Sequence, residues 1–224
     1  KKAKKLVLGA TREVRKKNPS PYAGLVRYKA SSIISSSPER LVSISGDHLQ
    51  TRPIAGTRPR GGSALLDIEL SKELINSDKE KAEHLMLVDL ERNDISKVCE
   101  PGTVKVDEMM TIESYAHVHH IVSNISGKKR NNVNPGDIIK SVFPGGTITG
   151  CPKVRCMEIL GELEKEGRGP YTGSFGYVAH SGNMDINILI RTILKEKNDL
   201  FFRAGGGIVA DSVPQNETLE TEAK

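Results

Sequence analysis

Three runs of strand-forming residues in the last third of the chain constrain its fold more than any other feature. They cover residues 171–179, 184–194 and 200–204. Turn-forming residues lie between them, at Ser181-Gly182 and at residues 197–199. The pattern predicts an antiparallel meander of three strands.

The two turns also predict which residues lie opposite each other. The first turn places Tyr171 opposite the region of Arg191 and Thr192, and the second brings Arg191 opposite Ala204 and Gly205. Tyr171, Arg191 and the glycine run 205–207 are therefore expected to converge on neighbouring strands. The pattern leaves open which face each side chain uses, because a shift of one residue reverses the face.

A hairpin and a further strand are predicted in the first 130 residues. Residues 41–45 alternate apolar and polar side chains, Gly46-Asp47 suits a two-residue turn, and residues 48–52 continue the alternation. Residues 118–125 are rich in β-branched side chains and are followed by Gly127. These segments predict sheet structure before the C-terminal meander begins.

Two helices are predicted, over residues 71–89 and 152–164. Asp78 is the expected N-cap of the first helix, and a proline stands in the first turn of the second. The apolar positions expected to be buried are Leu85, Met86 and Val88 in the first helix, and Val154, Met157, Leu160 and Leu163 in the second.

The composition excludes several classes of protein. The 224 residues are 37% hydrophobic and 27% charged, as in a globular chain. No apolar run approaches the ~20 residues that span a bilayer, and the N-terminus shows no secretory signal, so we expect no membrane association. The net charge is +5, but aromatic residues make up only 4%, which disfavours a nucleic-acid partner. Three cysteines cannot form an even disulfide framework, which favours a reduced, cytoplasmic location.

Two Glu-x-x-Glu pairs are candidate metal ligands. Glu80 and Glu83 lie in the first predicted helix, and Glu217 and Glu220 lie near the C-terminus. Residues three apart share a helix face, so each pair directs two carboxylates one way, and four carboxylates together would need a cation. Mg²⁺ suits such an oxygen site, and Lys224 lies where it could meet an anion bound to that metal. A solvated helix face is the alternative for either pair alone.

Three glycine-rich segments are candidate anion sites, at residues 53–58, 144–150 and 205–207. None matches a Walker A loop, and none is a Gly-x-Gly-x-x-Gly sequence followed by a helix. Their exposed backbone N–H groups could wrap a carboxylate, although ordinary tight turns would explain each segment taken alone.

Three histidines occur close together, at positions 117, 119 and 120. Consecutive residues on a strand point to opposite faces, so His119 and His120 are not expected to share a metal. We expect one histidine to face a site and the others to be structural.

Seven segments together resemble the chorismate-utilising enzyme family, and they occur in the family's order. The segments are SSSPERLV (35–42), RPIAGTRPRG (52–61), AEHLMLVDLERND (82–94), AHVHHIVSNI (116–125), FPGGTITGCPKVRCMEI (143–159), NILIRT (187–192) and AGGGIVADSVP (204–214). Within the family the resemblance is to the catalytic core of component I of aminodeoxychorismate synthase or anthranilate synthase. It implies a single chorismate-binding domain over residues 1–224, with the family's N-terminal region absent.

The resemblance also implies an α+β fold in which antiparallel sheets pack together with helices outside. It implies a Mg²⁺ cofactor, ammonia as a substrate and a glutamine amidotransferase partner. By motif, Glu83 and Glu220 would bind the metal directly and Glu80 and Glu217 would support it.

The remaining site residues are likewise implied by motif. The residues implied to bind chorismate are Gly56, Thr57, Gly146, Tyr171, Arg191, Gly205, Gly207 and Lys224. His120 would lie beside the departing hydroxyl, and Thr147 would line the ring, so these two are the implied catalytic residues.

The resemblance leaves the product open. We expect 4-amino-4-deoxychorismate, with anthranilate as the alternative. Some aminodeoxychorismate synthases have a lysine nucleophile where this chain has Ala55, so such a covalent route is not expected here. A third alternative is hydration to isochorismate with Lys5 as the base. A non-enzymatic anion-binding or nucleic-acid-binding role is supported only by the net charge.

Overall fold

The computed structural model describes residues 2–223, and their side chains at residue 7 and over residues 9–222. Lys224 and the side chain of Lys5 lie outside the described part. In chain order the elements are α1 (Lys2–Lys17), β1 (Tyr22–Tyr28), β2 (Ser31–Ser37), β3 (Arg40–Ser45), β4 (His48–Arg52), β5 (Ile54–Pro59), α2 (Ala64–Asn76), α3 (Asp78–Ser96), β6 (Lys105–Ser114), β7 (Val118–Lys128), α4 (Pro135–Val142), a 3₁₀ turn (Gly146–Ile148), α5 (Lys153–Leu163), β8 (Gly176–Val178), β9 (Met184–Asn187), β10 (Thr192–Glu196), β11 (Asp199–Phe202) and α6 (Pro214–Ala223).

The chain forms two compact units, each containing one antiparallel sheet. Unit 1 comprises the described residues up to 39 together with residues 167–175 and 187–223. Its four strands follow the order β1-β2-β10-β11. The central strands β2 and β10 are joined by a side-chain hydrogen bond of 2.8 Å between Ser35 Oγ and Thr192 Oγ1.

Unit 2 comprises residues 40–166 and 176–186 and holds most of the buried apolar side chains. Its seven-stranded sheet has the order β5-β7-β4-β3-β9-β8, with β6 on the other edge of β7. The long strand β7 is buried from His119 to Gly127, and α2 and α3 pack against it. A buried strand of this length explains the concentration of β-branched residues over positions 118–125.

The mixture of helices and antiparallel sheets confirms the predicted α+β class, and the hairpin at Gly46 is also confirmed. The strands β3 and β4 pair with Ser45 opposite His48, and Gly46 adopts a φ of +65° in the turn. Among the described residues, no helix combines the length and the apolar character needed to cross a membrane.

The first predicted helix differs from the structure in its boundaries and its buried face. Residues 71–89 belong to two helices that divide at Ser77, whose side chain caps α3 by accepting a hydrogen bond from the Glu80 backbone. Ser77, not Asp78, is therefore the N-cap. Val88 is 2% exposed, as predicted, but Leu85 is 52% exposed. His84 is buried instead, because it faces β7.

The second predicted helix occurs as α5, with Pro152 at its N-cap. Its apolar stripe is not buried: Val154 and Leu163 are each 72% exposed and Met157 is 45% exposed. The periodicity correctly predicts a helix, but it does not show what covers the apolar face.

The predicted C-terminal meander is two hairpins in two different sheets. The hairpin β8-β9 belongs to the sheet of unit 2, and β10-β11 belongs to the sheet of unit 1. The run 184–194 is interrupted between β9 and β10, where Arg191 has a φ of +49°. A left-handed residue ends regular pairing, so one apolar run becomes two strands.

Candidate functional site

Tyr171 and Gly205 of unit 1 lie against each other. A Cβ atom added to Gly205 would lie 2.9 Å from the Tyr171 hydroxyl oxygen. Gly205 is in the segment that follows β11, and Tyr171 precedes the segment leading to β8. The approach is close enough that only a residue without a side chain fits there without a shift.

Arg191 lies between β9 and β10, where the pairing of one hairpin ends and that of the next begins. Backbone hydrogen bonds from Thr172 N to Leu189 O and from Leu189 N to Gly173 O, both 2.8 Å, continue the pairing of β8 and β9. The left-handed residues Thr172 and Arg191, with φ values of +64° and +49°, end this pairing before it reaches Tyr171. The pairing of β10 with β11 begins at Ile193 and Phe202, two residues after Arg191.

The Arg191 backbone and side chain are both anchored within unit 1. Its carbonyl accepts a hydrogen bond of 3.2 Å from Ser36 N, and its Nη1 donates to Asn18 Oδ1 at 3.5 Å. Arg191 is half-buried in unit 1, whereas residues 205–207 are exposed.

Both carboxylates of the second Glu-x-x-Glu pair lie on α6 of unit 1. Glu217 is 8% exposed, whereas Glu220 is exposed to solvent. Lys224, predicted to lie on the same helix face, falls outside the described residues.

In unit 2, His120 contacts both residues of the Gly56-Thr57 pair. Its Nδ1 lies 3.1 Å from Thr57 Oγ1 and 3.1 Å from the Gly56 carbonyl oxygen. A carbonyl can only accept a hydrogen bond, so we assign the proton to Nδ1, and Nε2 then carries the lone pair of the neutral ring. This is the arrangement required of a histidine that exchanges a proton through Nε2.

Gly56 lies in strand β5, so the segment expected to be a glycine-rich loop is mostly extended. The pairing of β5 with β7 shifts between Ala55 and Thr57, and Gly56 adopts a φ of +66° at this bulge. A Cβ atom there would lie 2.9 Å from Glu80 Oε2, so the bulge brings the strand backbone against α3. The sequence pattern did not reveal this close approach of Glu80 to the Gly56-Thr57 segment.

Glu80 and Glu83 both lie on α3 and are both partly buried, as their spacing predicts. Arg58 Nη1 donates to Glu80 Oε1 at 3.3 Å and to the Thr57 carbonyl at 2.9 Å. The same guanidinium meets Glu73 through Nε at 2.9 Å. Arg58 therefore compensates part of the charge of Glu80 and connects α2, α3 and β5.

His119 has a different set of partners from His120. Its Nδ1 is 2.8 Å from Ser114 Oγ, and its Nε2 is 2.9 Å from Asp67 Oδ1. The Asp67 pKa is held well below its usual range, chiefly by hydrogen bonds from the Arg60 guanidinium and the Gly61 backbone. These contacts connect β7 to α2 and indicate a structural role for His119, as its place on the strand suggested.

Thr147 lies in the 3₁₀ turn between α4 and α5. Its Oγ1 is buried and has no hydrogen-bond partner among the residues that the structure describes. The preceding Gly146 is buried against α3, where a Cβ atom would lie 2.7 Å from Leu90 Cδ2. The turn is therefore held close to α3 and leaves a hydroxyl able to bond to a ligand or water.

A small pocket lies beside this turn; it is lined by Leu41, Thr51, Glu91, Asp94, Val142, Gly145 and Gly146. Asp94 is 2% exposed and is paired with Lys153, which also donates to the Val142 carbonyl at 3.1 Å. The ion pair connects the start of α5 to α3 and α4, and so supports the loop that carries Thr147.

Glu39 is a buried acidic residue that, like Glu91 and Asp94, was not selected from the sequence. It is 5% exposed; its backbone N donates to Ser37 Oγ at 3.2 Å, and its carbonyl accepts from Ile188 N at 3.0 Å. Its position in a run of serines followed by proline offered no spacing or partner that would have identified it.

The structure thus groups the predicted residues within each unit. Unit 1 brings Tyr171 to Gly205, and unit 2 brings His120 to Gly56 and Thr57. Within the described residues, no group of three or more His, Cys, Asp or Glu side chains is arranged to hold a metal. The roles assigned to these residues by motif stay predictions.

Comparison with known proteins identifies the family. A family described as chorismate binding enzyme matches residues 5–224, and the chain belongs to this family. It is 52% identical over 207 residues to the anthranilate synthase component I-like protein of Synechocystis sp., covering 92% of this chain and 43% of that protein. It is 51% identical over 211 residues to aminodeoxychorismate synthase component 1 of Bacillus subtilis, covering 94% and 45%.

Among solved structures, anthranilate synthase component I from Streptococcus pneumoniae superposes with a TM-score of 0.87 at 39% identity. The match covers 96% of this chain and 47% of that one. The chain therefore spans less than half the length of these relatives.

Proposed function

We propose that this protein aminates chorismate in a Mg²⁺-dependent reaction, using ammonia from a glutamine amidotransferase partner, and forms 4-amino-4-deoxychorismate. The contact between Tyr171 and Gly205 carries the proposal, because it brings together two of the residues that the motifs select for binding a carboxylate. Membership of the chorismate binding enzyme family and the 51% identical B. subtilis relative support it.

Unit 1 is proposed to bind carboxylate groups of the substrate. Arg191 can form two parallel hydrogen bonds with one carboxylate, and the Tyr171 hydroxyl can add a third. The backbone N–H groups of Gly205 and Gly207 can donate to a second carboxylate because neither residue has a side chain in the way. Chorismate is a dianion, so two such sites suit it.

Unit 2 is proposed to handle the proton that accompanies loss of the C4 hydroxyl. With Nδ1 directed to the Gly56 carbonyl, protonation of His120 occurs at Nε2, and that proton can be given to a departing hydroxyl. The Thr57 hydroxyl also contacts Nδ1, so two neighbouring residues of β5 fix the orientation of the His120 ring. The Thr147 hydroxyl can bond to the ring's polar substituents.

The two carboxylate pairs are proposed as Mg²⁺ ligands. Mg²⁺ takes one or two protein carboxylates and keeps several waters, so either the pair on α3 or the pair on α6 has the donor chemistry that it requires. Glu83 and Glu220 are proposed as direct ligands, with Glu80 and Glu217 in support. When bound, the metal would stabilise negative charge on a substrate carboxylate.

Anthranilate is the second candidate product, and it is supported equally. The Synechocystis relative and the S. pneumoniae structure are both named anthranilate synthases. Isochorismate, the third candidate, requires Lys5 as a base, and the Lys5 side chain lies outside the described residues. The cytoplasm is the proposed location, on the cysteine count alone.

The experiment is product analysis by mass spectrometry after incubation with chorismate, MgCl₂ and an ammonium salt. We expect aminodeoxychorismate without release of pyruvate. Anthranilate with an equal amount of pyruvate would assign the alternative reaction. Isochorismate formed without ammonia would assign the third, and unreacted chorismate would contradict all three.

A further inference from the structure

Glu113 lies directly opposite the proposed catalytic histidine on the neighbouring strand. The register of β6 and β7 pairs Glu113 with His120 and Ser114 with His119. Neither the family motifs nor the sequence pattern selected Glu113, which is 30% exposed in its side chain.

Two residues bind the Glu113 carboxylate, one at each oxygen. Arg52 of β4 forms an ion pair with Oε1, and the Tyr115 hydroxyl donates to Oε2 at 2.6 Å. Burial raises the Glu113 pKa. The hydrogen bonds from Tyr115 and Arg52 and the charge of Arg52 lower it by more, so the Glu113 pKa lies below its ordinary value. Glu113 is therefore ionised at neutral pH.

Tyr115 connects this carboxylate to His120. The two rings meet edge to face, with centroids 5.6 Å apart and planes at 64°. The Tyr115 backbone N donates to the Val118 carbonyl at 2.8 Å, which closes the turn between β6 and β7. The ring is thus held at its backbone by the turn and at its hydroxyl by Glu113.

We propose that Glu113 is a positioning residue for His120, acting through the Tyr115 ring. On one side of the imidazole, Thr57 and the Gly56 carbonyl hold Nδ1; on another, the Tyr115 ring limits rotation. The inference rests on the proposed function only in assigning a catalytic use to His120. The arrangement of the three side chains stands independently of that use.

The charges near His120 come from several elements. Glu113 on β6 is the carboxylate directly across the ladder, with Arg52 of β4 behind it. On the other side, Arg58 of β5 is paired with Glu80 of α3. The charges of Glu113 and His120 interact directly, so removing the charge of Glu113 should disfavour a protonated His120.

The chain offers a matched control in Glu108. It lies on the same strand and also pairs with Arg52, at 3.0 Å, but its side chain is 50% exposed and it lies opposite Asn124 rather than His120. Glu108→Gln therefore removes one carboxylate partner of Arg52 but keeps the hydrogen bond between Tyr115 and Glu113.

The test compares Glu113→Gln, Tyr115→Phe and Glu108→Gln by NMR of ¹⁵N-histidine-labelled protein. The His120 signal is assigned through its loss in His120→Asn. We expect the His120 titration midpoint to fall in Glu113→Gln, to fall less in Tyr115→Phe, and to stay unchanged in Glu108→Gln. Equal midpoints in Glu113→Gln and Glu108→Gln would overturn the proposal, and a fall in Glu113→Gln alone would support it. Thermal melts show whether each variant is folded. If Glu113→Gln is unfolded, the His120 midpoint in Tyr115→Phe decides: a fall relative to Glu108→Gln supports the proposal, and no fall overturns it.

Steady-state kinetics supply the second measurement. If His120 donates a proton in the reaction, Glu113→Gln should lower kcat about tenfold with little change in KM, less than the ~10²–10⁴ expected for a general acid itself. A shifted NMR midpoint with no conversion of chorismate by the wild type would contradict the proposed function and leave the positioning role standing. An unshifted midpoint with normal conversion would do the reverse.

Discussion

The hydroxyl oxygen of Tyr171 lies 2.9 Å from the point that a Cβ atom on Gly205 would occupy. Gly205 does not have a left-handed φ, so glycine is needed there for lack of space and not for its backbone conformation. The contact joins the segment before β8 to the segment after β11. It is the basis of the first prediction.

Gly205→Ala should move the Tyr171 hydroxyl and weaken chorismate binding while leaving stability nearly unchanged. We expect KM to rise about tenfold, the size of one lost hydrogen bond to a charged group. Tyr171→Phe should have a similar effect, and the double variant should cost less than the two single changes added together, since alanine fits once the hydroxyl is gone. Gly161→Ala is the control, because beyond the adjoining backbone of α5 no described atom lies within 4 Å of its added Cβ. Strictly additive effects would contradict the contact.

Arg191→Lys should reduce catalysis although the charge is kept. An ammonium group is a point charge and cannot form the two parallel bonds of a guanidinium. We expect kcat/KM to fall by the equivalent of about 1.5–3 kcal/mol, the range for a hydrogen bond to a charged group. Arg203→Lys, on an exposed residue of unit 1, is the comparison. Wild-type kinetics in Arg191→Lys would remove Arg191 from the site.

Replacing the carboxylates by amides tests the metal ligands. Glu83→Gln and Glu220→Gln should each raise the Mg²⁺ concentration needed for half-maximal activity and weaken chorismate binding. Glu80→Gln and Glu217→Gln should have smaller effects, of about 10–100-fold or less, because supporting groups orient ligands without binding the metal. Activity is titrated with Mg²⁺, and melts in chelator report stability. An unchanged Mg²⁺ requirement in both Glu83→Gln and Glu220→Gln would leave these carboxylates as helix-surface charges.

His84 should make the stability depend on pH. It is fully buried, its Nε2 is 2.7 Å from Ser123 Oγ, and burial lowers its pKa from 6.5 to about 4. Between these values the unfolded chain binds a proton that the folded protein does not. Stability should therefore be full above pH 6.5 and fall as the pH drops towards 4, by about 3 kcal/mol at most.

Urea denaturation at pH 7, 5.5 and 4.5 measures this dependence. His84→Gln should show a shallower fall with decreasing pH than the wild type, although it is less stable at pH 7. His48→Gln, at an exposed histidine, should retain the wild-type fall. The same pH dependence in His84→Gln and the wild type would show that other groups cause it.

Asp94 forms ion pairs with two lysines that differ in burial, so the contribution of each pair to stability can be compared. Lys153 is 15% exposed in its side chain, whereas Lys97, 2.9 Å from Asp94 Oδ1, is 53% exposed. Lys153→Met should cost about 3 kcal/mol of unfolding free energy because it breaks a buried pair. Lys97→Met should cost less than about 1 kcal/mol, since solvent screens the exposed pair. Urea unfolding of both variants measures the difference, and equal costs would contradict the role of burial.

Local signals predicted the hairpins because a turn and its flanking residues are neighbours in sequence. Gly46-Asp47 and Ser181-Gly182 both lie in turns between paired strands. The helix prediction over residues 71–89 missed the break at Ser77, since apolar spacing continues across it and only the capping bond ends one helix and starts the next.

The partners of the candidate site were less predictable. The carboxylate of Glu80 meets Gly56 because a bulge in β5 brings the strand to α3, and a bulge leaves little trace in sequence beyond a glycine. Glu113 lies beside His120 through the register of β6, which shifts twice along its length. Such shifts cannot be read from alternation alone.

The sequence by itself determined the turns at Gly46-Asp47 and Ser181-Gly182 and predicted that Tyr171 lies near Gly205, because turn positions set antiparallel register over short distances. Its placement of Arg191 beside these two residues stays a prediction. Tertiary structure alone decided that the hairpins β8-β9 and β10-β11 enter different sheets, and that α5 leaves its apolar face exposed. Those outcomes depend on which distant strands and helices bury each surface, and contacts between residues far apart in the chain are not encoded in local periodicity.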